Sequence, residues 1–335
     1  VTIPWSMPDR PDPAIRRLVA RFRRQRPLRG GSLIITVFGD AIAPRGGAVT
    51  LGSLIRLARP FGLTERLVRT TVARLANEDW LVARRDGRLS EYRLSATGRR
   101  RFVDATRRIY AEIPKTWDGA WTLVLLPAAA PAVRDELAWL GFGQPSAGVF
   151  AHPTRSVADA REQLARLNGG ASALVLEARN GDSAADRQLA KAGWDLGELA
   201  ARYRRLVRSF EPIHDALEGN ARPAPETAFI VRTLLVHEYR RIHLRDPLLP
   251  ESLLPNDWIG ARAYELARVL YGRTFAAAEE HLSQVAARLG GPIPRPDAAT
   301  LRRFGGLKGS SSRAASRALR ETGSRGSRPS RDGRS

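Results

Sequence analysis

Residues 32–94 read SLIITVFGDAIAPRGGAVTLGSLIRLARPFGLTERLVRTTVARLANEDWLVARRDGRLSEYRL, and the periodicity of this stretch decides the fold. Ser32 is placed to cap a helix whose apolar positions Leu33, Ile34, Val37, Phe38 and Ala41 fall on one face at the 3.6-residue period. The run Ala43-Pro44-Arg45-Gly46-Gly47 breaks it. A second helix follows, with Leu51, Leu54, Ile55 and Ala58 spaced i, i+3, i+4, i+7, and it stops near Pro60. Phe61-Gly62-Leu63 is a tight turn, and Thr64 is the N-cap candidate of a third helix reaching to about Asn77. Two short strands, Leu81 to Arg85 and Leu89 to Leu94, flank the hairpin signal Asp86-Gly87-Arg88. Two helices, a glycine-containing turn, a third helix and a β-hairpin form the order of a winged helix-turn-helix.

The third helix divides by face. Leu67, Val68, Val72, Leu75 and Ala76 are its inward residues, while Arg66, Arg69, Thr70, Ala73 and Asn77 form the opposite stripe, flanked by Glu65 and Arg74. A helix fits the DNA major groove. Long arginines reach base edges or phosphates there, and short Thr and Ala let the backbone approach a thymine methyl. Arg84, Arg85 and Arg88 at the wing suit phosphate or minor-groove contact. The candidate DNA-binding set is therefore Thr64, Glu65, Arg66, Arg69, Thr70, Ala73, Arg74, Arg84, Arg85 and Arg88. Solvation of an exposed face explains any one of these arginines equally well; their concentration on one helix face and one hairpin favours DNA.

The charge distribution points the same way. The chain has 335 residues, 55 Lys or Arg against 34 Asp or Glu, and a formal net charge of +21. Residues 1–115 carry net +14, residues 304–335 carry net +6, and residues 116–303 are nearly neutral with 23 basic against 22 acidic side chains. A compositional preference for Arg over Lys does not produce a neutral middle, so the basic ends imply a polyanionic partner. The absence of cysteine excludes disulfide scaffolds, zinc–cysteine sites and thiol nucleophiles. Apolar runs are far shorter than the ~18–20 residues needed to cross a bilayer, and residues 1–18 lack the apolar core of a signal peptide. The expectation is a soluble cytoplasmic, nucleoid-associated protein with no membrane partner.

Outside the winged helix the chain divides into further segments. Residues 1–30 are rich in Pro and Arg and read as a mobile basic arm, with a short helix around Ile15 to Phe22. Residues 31–95 are the winged domain, and 96–116 form a basic linker helix from Ala96 to Tyr110. Residues 117–195 then alternate: a strand from Trp121 to Leu126, a helix from Val133 to Leu140, extended pieces Gly141 to Gln144 and Gly148 to His152, a helix from Val157 to Leu167, and a strand from Ala173 to Ala178. That βαββαβ order is ferredoxin-like, a fold whose sheets often pair across a dimer axis. Residues 196–300 read as a mostly helical domain, through Leu196 to Leu217, Glu226 to Arg245 and Ile259 to Leu289. Residues 301–335, rich in Arg, Ser and Gly, read as a disordered basic tail from Phe304 onward. The fold class is α+β.

Residues 32–102 resemble the N-terminal domain of the PaaX family, and the resemblance continues in WDGAWTLVLLP, ELAWLGFGQPSAGVFAHP and LLVHEYRRIHLRDPLLPESLLPNDW. It covers roughly residues 28–290. The resemblance implies a DNA-binding transcriptional repressor of phenylacetic acid catabolic genes, acting as a homodimer on a double-stranded operator with dyad symmetry. It further implies release by an aryl-acetyl-CoA thioester, typically phenylacetyl-CoA, with no bound cofactor. The same architecture answering to another acyl-CoA, or acting as an activator, is the alternative.

An acyl-CoA site needs cations for phosphates and an apolar slot for the acyl group. His237, Tyr239, Arg240, Arg241, Arg245 and Trp258 are the candidate effector residues. Salt bridging of His237, Arg240 and Arg241 to Glu238 or Asp246 is an equally good reading of the same residues. His214, His237, His243 and His281 are four of the five histidines. His237 and His243 lie six residues apart, ~240° around a helix at ~100° per residue, so they do not share a face as paired zinc ligands would. No metal site is expected. Enzymatic readings find little support: there is no G-x-S-x-G for a thioester hydrolase and no Walker or Rossmann glycine motif. The central βαββαβ order is similar to a small CRISPR-associated nuclease. Its first strand, however, ends in Leu125-Leu126-Pro127-Ala128 without a carboxylate, and Asp118 lies at the opposite end.

Overall fold

The computed structural model describes residues 12–25, 30–111, 116–126, 131–167, 170–218 and 222–307. Helix α1 (Pro13–Arg23) starts at Asp12, whose carboxylate accepts the Ala14 N–H at 2.6 Å, with Pro13 supplying a pre-set φ. Ile15, Leu18 and Phe22 are buried, and Phe22 lies edge-on to Phe61 and to the His237 ring. Between Asp12 and Arg24 the expected mobile arm is thus a docked helix, because one apolar stripe at helical spacing is enough to seat it. Residues 1–11 of that arm lie outside the described residues.

Helix α2 (Gly30–Val37) passes into one π-helical turn, Phe38–Ile42, and a 3₁₀ turn, Ala43–Arg45, before Gly46 and Gly47 reverse the chain at positive φ. Ser32 lies inside α2 and is not its cap; its hydroxyl accepts from Arg240. Strand β1 (Ala48–Thr50) was not expected from the sequence, being three residues between a glycine pair and the Thr50 cap of α3 (Leu51–Ala58), too short for any period. After α3 come α4 (Glu65–Asn77), β2 (Leu81–Asp86) and β3 (Leu89–Leu94), in an antiparallel sheet of order β1-β3-β2. Helix α5 (Ala96–Tyr110) is capped by Ser95, whose Oγ accepts the Gly98 N–H at 2.8 Å. A Cβ at Gly98 would stand 2.2 Å from the Trp80 carbonyl oxygen, so glycine is what lets α5 begin against the end of α4.

The next elements are β4 (Trp121–Leu125), α6 (Pro131–Trp139), β5 (Gly143–Ser146), β6 (Val149–His152), α7 (Val157–Ala165), β7 (Leu174–Ala178) and α8 (Ser183–Gly193). The sheet is antiparallel in the order β5-β6-β4-β7, the ferredoxin-like arrangement. Val124, Phe150 and Val175 pack on α6 and α7 through Val133, Leu137, Ala160 and Leu164. On the other face Trp121, Leu123 and Ala151 pack against Ala190, Leu196, Leu249, Leu253 and Leu254. Burial on both faces explains why β4 carries apolar residues towards each side, Trp121 and Leu123 on one and Val124 on the other, instead of alternating with exposed polar ones.

Helices α9 (Leu196–Glu218), α10 (Pro225–His243) and α11 (Gly260–Val285) lead to a short hairpin, β8 (Ala287–Arg288) with β9 (Gly291–Pro292), and to a final turn, Thr300–Gly305. The described chain forms two compact units. The first holds residues up to 111 with 205–241 and 262 onward; the second holds 112–204 with 242–261. The segment expected as a separate helical domain is therefore shared between both. Along helix α10, Phe229, Val231, Leu234, Leu235, Val236 and Tyr239 are buried around its circumference within the first unit, and a helix apolar on several sides needs several neighbours. Nor is the terminal segment a tail from Phe304. Arg303 and Phe304 are buried, while 308–335 lie outside the described residues.

Within the first unit the C-terminal segments grip the winged helix at three places. Along α2, Ser32 and Thr36 accept from Arg240 (2.7 and 2.8 Å), and Thr36 Oγ1 lies 3.1 Å from His237 Nδ1. At the wing base, the Leu289 N–H donates to buried Glu91 at 2.6 Å and the Ala287 N–H to Ser53 at 3.0 Å. The third grip is a buried centre on Asp40. One carboxylate oxygen accepts from Tyr110 (2.7 Å), Tyr271 (2.8 Å) and Arg303 (2.8 Å); the other accepts from Arg232 (2.8 Å). Arg232 also pairs with Glu279 at 2.7 Å, and Glu279 pairs with Arg45. Burial alone would raise the Asp40 carboxyl, but Arg232, Arg303 and the Tyr110 phenol outweigh it and hold it at about 2. The Tyr110 phenol is pushed well above its ordinary value by burial and by Asp40 beside it.

Candidate nucleic-acid interface

Helix α4 is aimed by its two ends. Gly62, at φ +80°, turns the chain after Phe61, and Thr64 Oγ1 accepts the Leu67 N–H at 3.3 Å to start the helix. Arg23 of α1 donates to the Pro60 carbonyl at 2.8 Å, fixing the same turn from outside. Val68, Thr71, Val72 and Leu75 are buried, and Leu67 and Ala76 are half-buried. Thr71 is the inward residue that the apolar pattern did not mark. The opposite stripe of Glu65, Arg66, Arg69, Thr70, Ala73, Arg74 and Asn77 is exposed throughout, as is Thr64.

The exposed stripe is partly pre-arranged. Arg69 donates to Glu65 through Nε (2.9 Å) and a terminal nitrogen (2.7 Å), and Arg74 pairs with Glu78 at 2.7 Å, both one turn apart. Such exposed pairs contribute only about 0.3–0.5 kcal/mol, so a phosphate or a guanine edge can take the guanidinium at little cost. Glu65 holds Arg69 in the free chain. Thr70 is exposed and donates its hydroxyl to the Arg66 carbonyl at 2.9 Å.

At the wing, Asp86 pairs with Leu89 around Gly87-Arg88, with Gly87 at φ +55°. Arg84, Arg85 and Arg88 are all exposed. The wing is rooted by Glu91, almost fully buried beneath Arg93. Beyond the expected set, Arg99, Arg100 and Arg101 on the first turns of α5 extend the basic surface, Arg101 lying 4.7 Å over the Trp80 ring.

The six candidate effector residues are divided between the two units: His237, Tyr239, Arg240 and Arg241 lie in the first, Arg245 and Trp258 in the second. His237 is fully buried against Phe22 and Thr36, and Arg240 spends its guanidinium on Ser32 and Thr36. Arg241 pairs with Glu238 at 3.3 Å. All three side chains hold partners within the first unit, two of them on helix α2. Arg245 is exposed and Trp258 stands edge-on to Tyr203, both in the second unit. Tyr239 lies in the first, against Phe304. His237 and His243 each bond within a different unit, to Thr36 and Tyr203. In the central domain, Asp118 is exposed, accepts the Ala120 N–H at 3.0 Å and pairs with Arg179 at 3.2 Å. It shapes the loop before β4.

Three family models match consecutive parts of the chain: the PaaX-like protein over residues 29–98, the PaaX protein central Cas2-like domain over 114–190, and the PaaX-like protein C-terminal domain over 194–284. The chain belongs to the PaaX family. The transcriptional repressor PaaX of Escherichia coli strain K12 is 37% identical over 289 residues, covering 84% of this chain and 92% of that protein. A solved structure, the uncharacterized protein Rv0674 from Mycobacterium tuberculosis, is 25% identical, covers 68% of this chain and 91% of its own, and superposes with a TM-score of 0.46. The first PaaX model spans the winged helix with α4 and the wing; the last one ends within α11, before the Thr300–Gly305 turn. Among the described residues, no helix is long and apolar enough to cross a membrane.

Proposed function

We propose that the chain is a sequence-specific repressor that lays α4 in the major groove of an operator and sets the wing on the flanking phosphates. The observation that carries this reading is the unbroken exposed stripe of α4, where Arg66, Arg69, Thr70, Ala73, Arg74 and Asn77 share one face above a fully packed base. Two protomers present two such helices to two half-sites about one helical turn apart, or a multiple of it. The genes controlled are those of phenylacetate breakdown, and an aryl-acetyl-CoA such as phenylacetyl-CoA releases the DNA. The relative's repressor role and the three consecutive family matches support the regulatory half of this reading. The inducer and the dimer are inferred from the family resemblance.

The test is fluorescence anisotropy of the full chain on DNA from upstream of its neighbouring genes, with phenylacetyl-CoA or free CoA added. Tight binding that phenylacetyl-CoA weakens by roughly 5–150-fold, and free CoA does not, is the expected result. Binding no tighter than to random DNA overturns the repressor reading. Tight binding indifferent to the thioester overturns the inducer alone.

A further inference from the structure

Phe304 occupies a setting that the winged helix does not require. Its buried ring lies 5.2, 5.4, 5.7 and 6.0 Å, centroid to centroid, from Tyr110, Tyr271, Tyr264 and Tyr239. Its backbone is left-handed at φ +54°, a conformation that a phenylalanine rarely keeps unless its surroundings force it. Phe304 and Arg303 belong to a strap, residues 297–306, that also donates the Asp297 N–H to the Pro44 carbonyl at 3.0 Å. The strap leaves through Gly305 and Gly306, at φ +77° and +111°, where the chain bends without side-chain hindrance. Every one of these residues lies in the first unit, and the strap lies beyond residue 284, where the last family model stops.

We propose that the four-tyrosine cage is a binding site for one aromatic ring of a small ligand, which the strap fills with its own Phe304 when no ligand is bound. The chemistry of the vacated cage supports exchange. With the strap seated, three guanidiniums (Arg45, Arg232 and Arg303) face two carboxylates, Asp40 and Glu279; once Arg303 leaves, the count is two against two. Asp40 then keeps Arg232 and the phenols of Tyr110 and Tyr271, so no carboxylate is left bare. The tyrosine rings meet Phe304 tilted or edge-on, the geometry by which aromatic rings recognise one another, and a neutral monocyclic arene fits the same frame. Exchange would be felt by the DNA-binding module, because Arg303 and Asp297 hold Asp40 and Pro44, at the end of the helix that packs along α4. An aryl-acetyl thioester carries such a ring, so the inference deepens the inducer reading above and rests on it for the ligand's identity.

Trypsin reads the strap directly. The Arg303–Phe304 bond is shielded while Arg303 is bound to Asp40, whereas Arg88 in the exposed wing supplies an internal reference cut. The full wild-type chain is digested briefly with phenylacetyl-CoA, phenylacetamide or free CoA, and the fragment ending at Arg303 is quantified by mass spectrometry, with DNA release followed in parallel. Both aryl compounds are expected to speed the Arg303 cut about tenfold over the Arg88 cut, and free CoA to leave it unchanged. In Phe304→Ala the cut is fast without ligand; the wild-type experiment stands even if that variant does not fold. DNA release by phenylacetyl-CoA with an unchanged Arg303 cut overturns the cage and leaves the inducer standing. A faster cut with phenylacetamide while the thioester leaves DNA bound overturns the inducer and leaves the cage. No effect on either overturns both.

Discussion

Arginine does opposite work on the outer face of α4 and around Asp40. On α4 and the wing the guanidiniums are exposed, and Arg69 and Arg74 are tethered to carboxylates one turn away. Around Asp40, Arg45, Arg232 and Arg303 are buried, and each is locked to a carboxylate. The exposed set costs the fold little to rearrange and is therefore free to meet a polyanion. Arg232, which alone pairs with both Asp40 and Glu279, cannot be lost without stranding charge in a low-dielectric interior, and the set as a whole ties the winged helix to α10, α11 and the strap.

That contrast can be broken in order of expected size. Arg232→Ala leaves Asp40 and Glu279 short of a partner and should cost about 3–5 kcal/mol of unfolding free energy in urea titrations, whereas Arg69→Ala should change it by less than about 0.5 kcal/mol. Similar costs for the two would erase the distinction. Lowering the pH acts on the same centre. Asp40 sits at about 2 against an ordinary 3.8, so its stabilising contribution is complete above about pH 4 and is lost as pH falls towards 2. The loss is on the order of 2 kcal/mol, and a pH series of urea melts should show it in the wild type and not in Asp40→Asn. On the exposed side, Thr64→Ala removes the α4 cap and should cost about 1 kcal/mol, read from the same melts. Glu65→Gln should be smaller still: stability within about 0.5 kcal/mol of wild type, and binding to random DNA slightly tighter at low salt because one negative charge is removed from the face that meets phosphates.

The two regions also differ in how far the sequence revealed them. The α4 stripe was readable because Arg66, Arg69, Thr70, Ala73 and Asn77 recur at helical spacing and the inward face is apolar, so a local period reports a local face. The wing followed from its Asp-Gly turn, and the βαββαβ order from alternating apolar runs. The Asp40 centre is assembled from five separate stretches, with 263 positions between Asp40 and Arg303, and no window of the sequence contains the partnership. Two signs were present: Asp40 inside the apolar run IITVFGDAIA, and Arg232 inside FIVRTLLV, each a charge where the pattern asks for none. Strand β1 escaped for a different reason, since its three residues are set by pairing to β3 and not by their own pattern.

The most direct test of α4 as the reading helix is Arg69→Ala on the operator and on random DNA at matched salt. The expected outcome is a loss of about 1–3 kcal/mol on the operator with little change on random DNA. An equal loss on both would make Arg69 a phosphate contact and would contradict the claim that this face of α4 reads sequence.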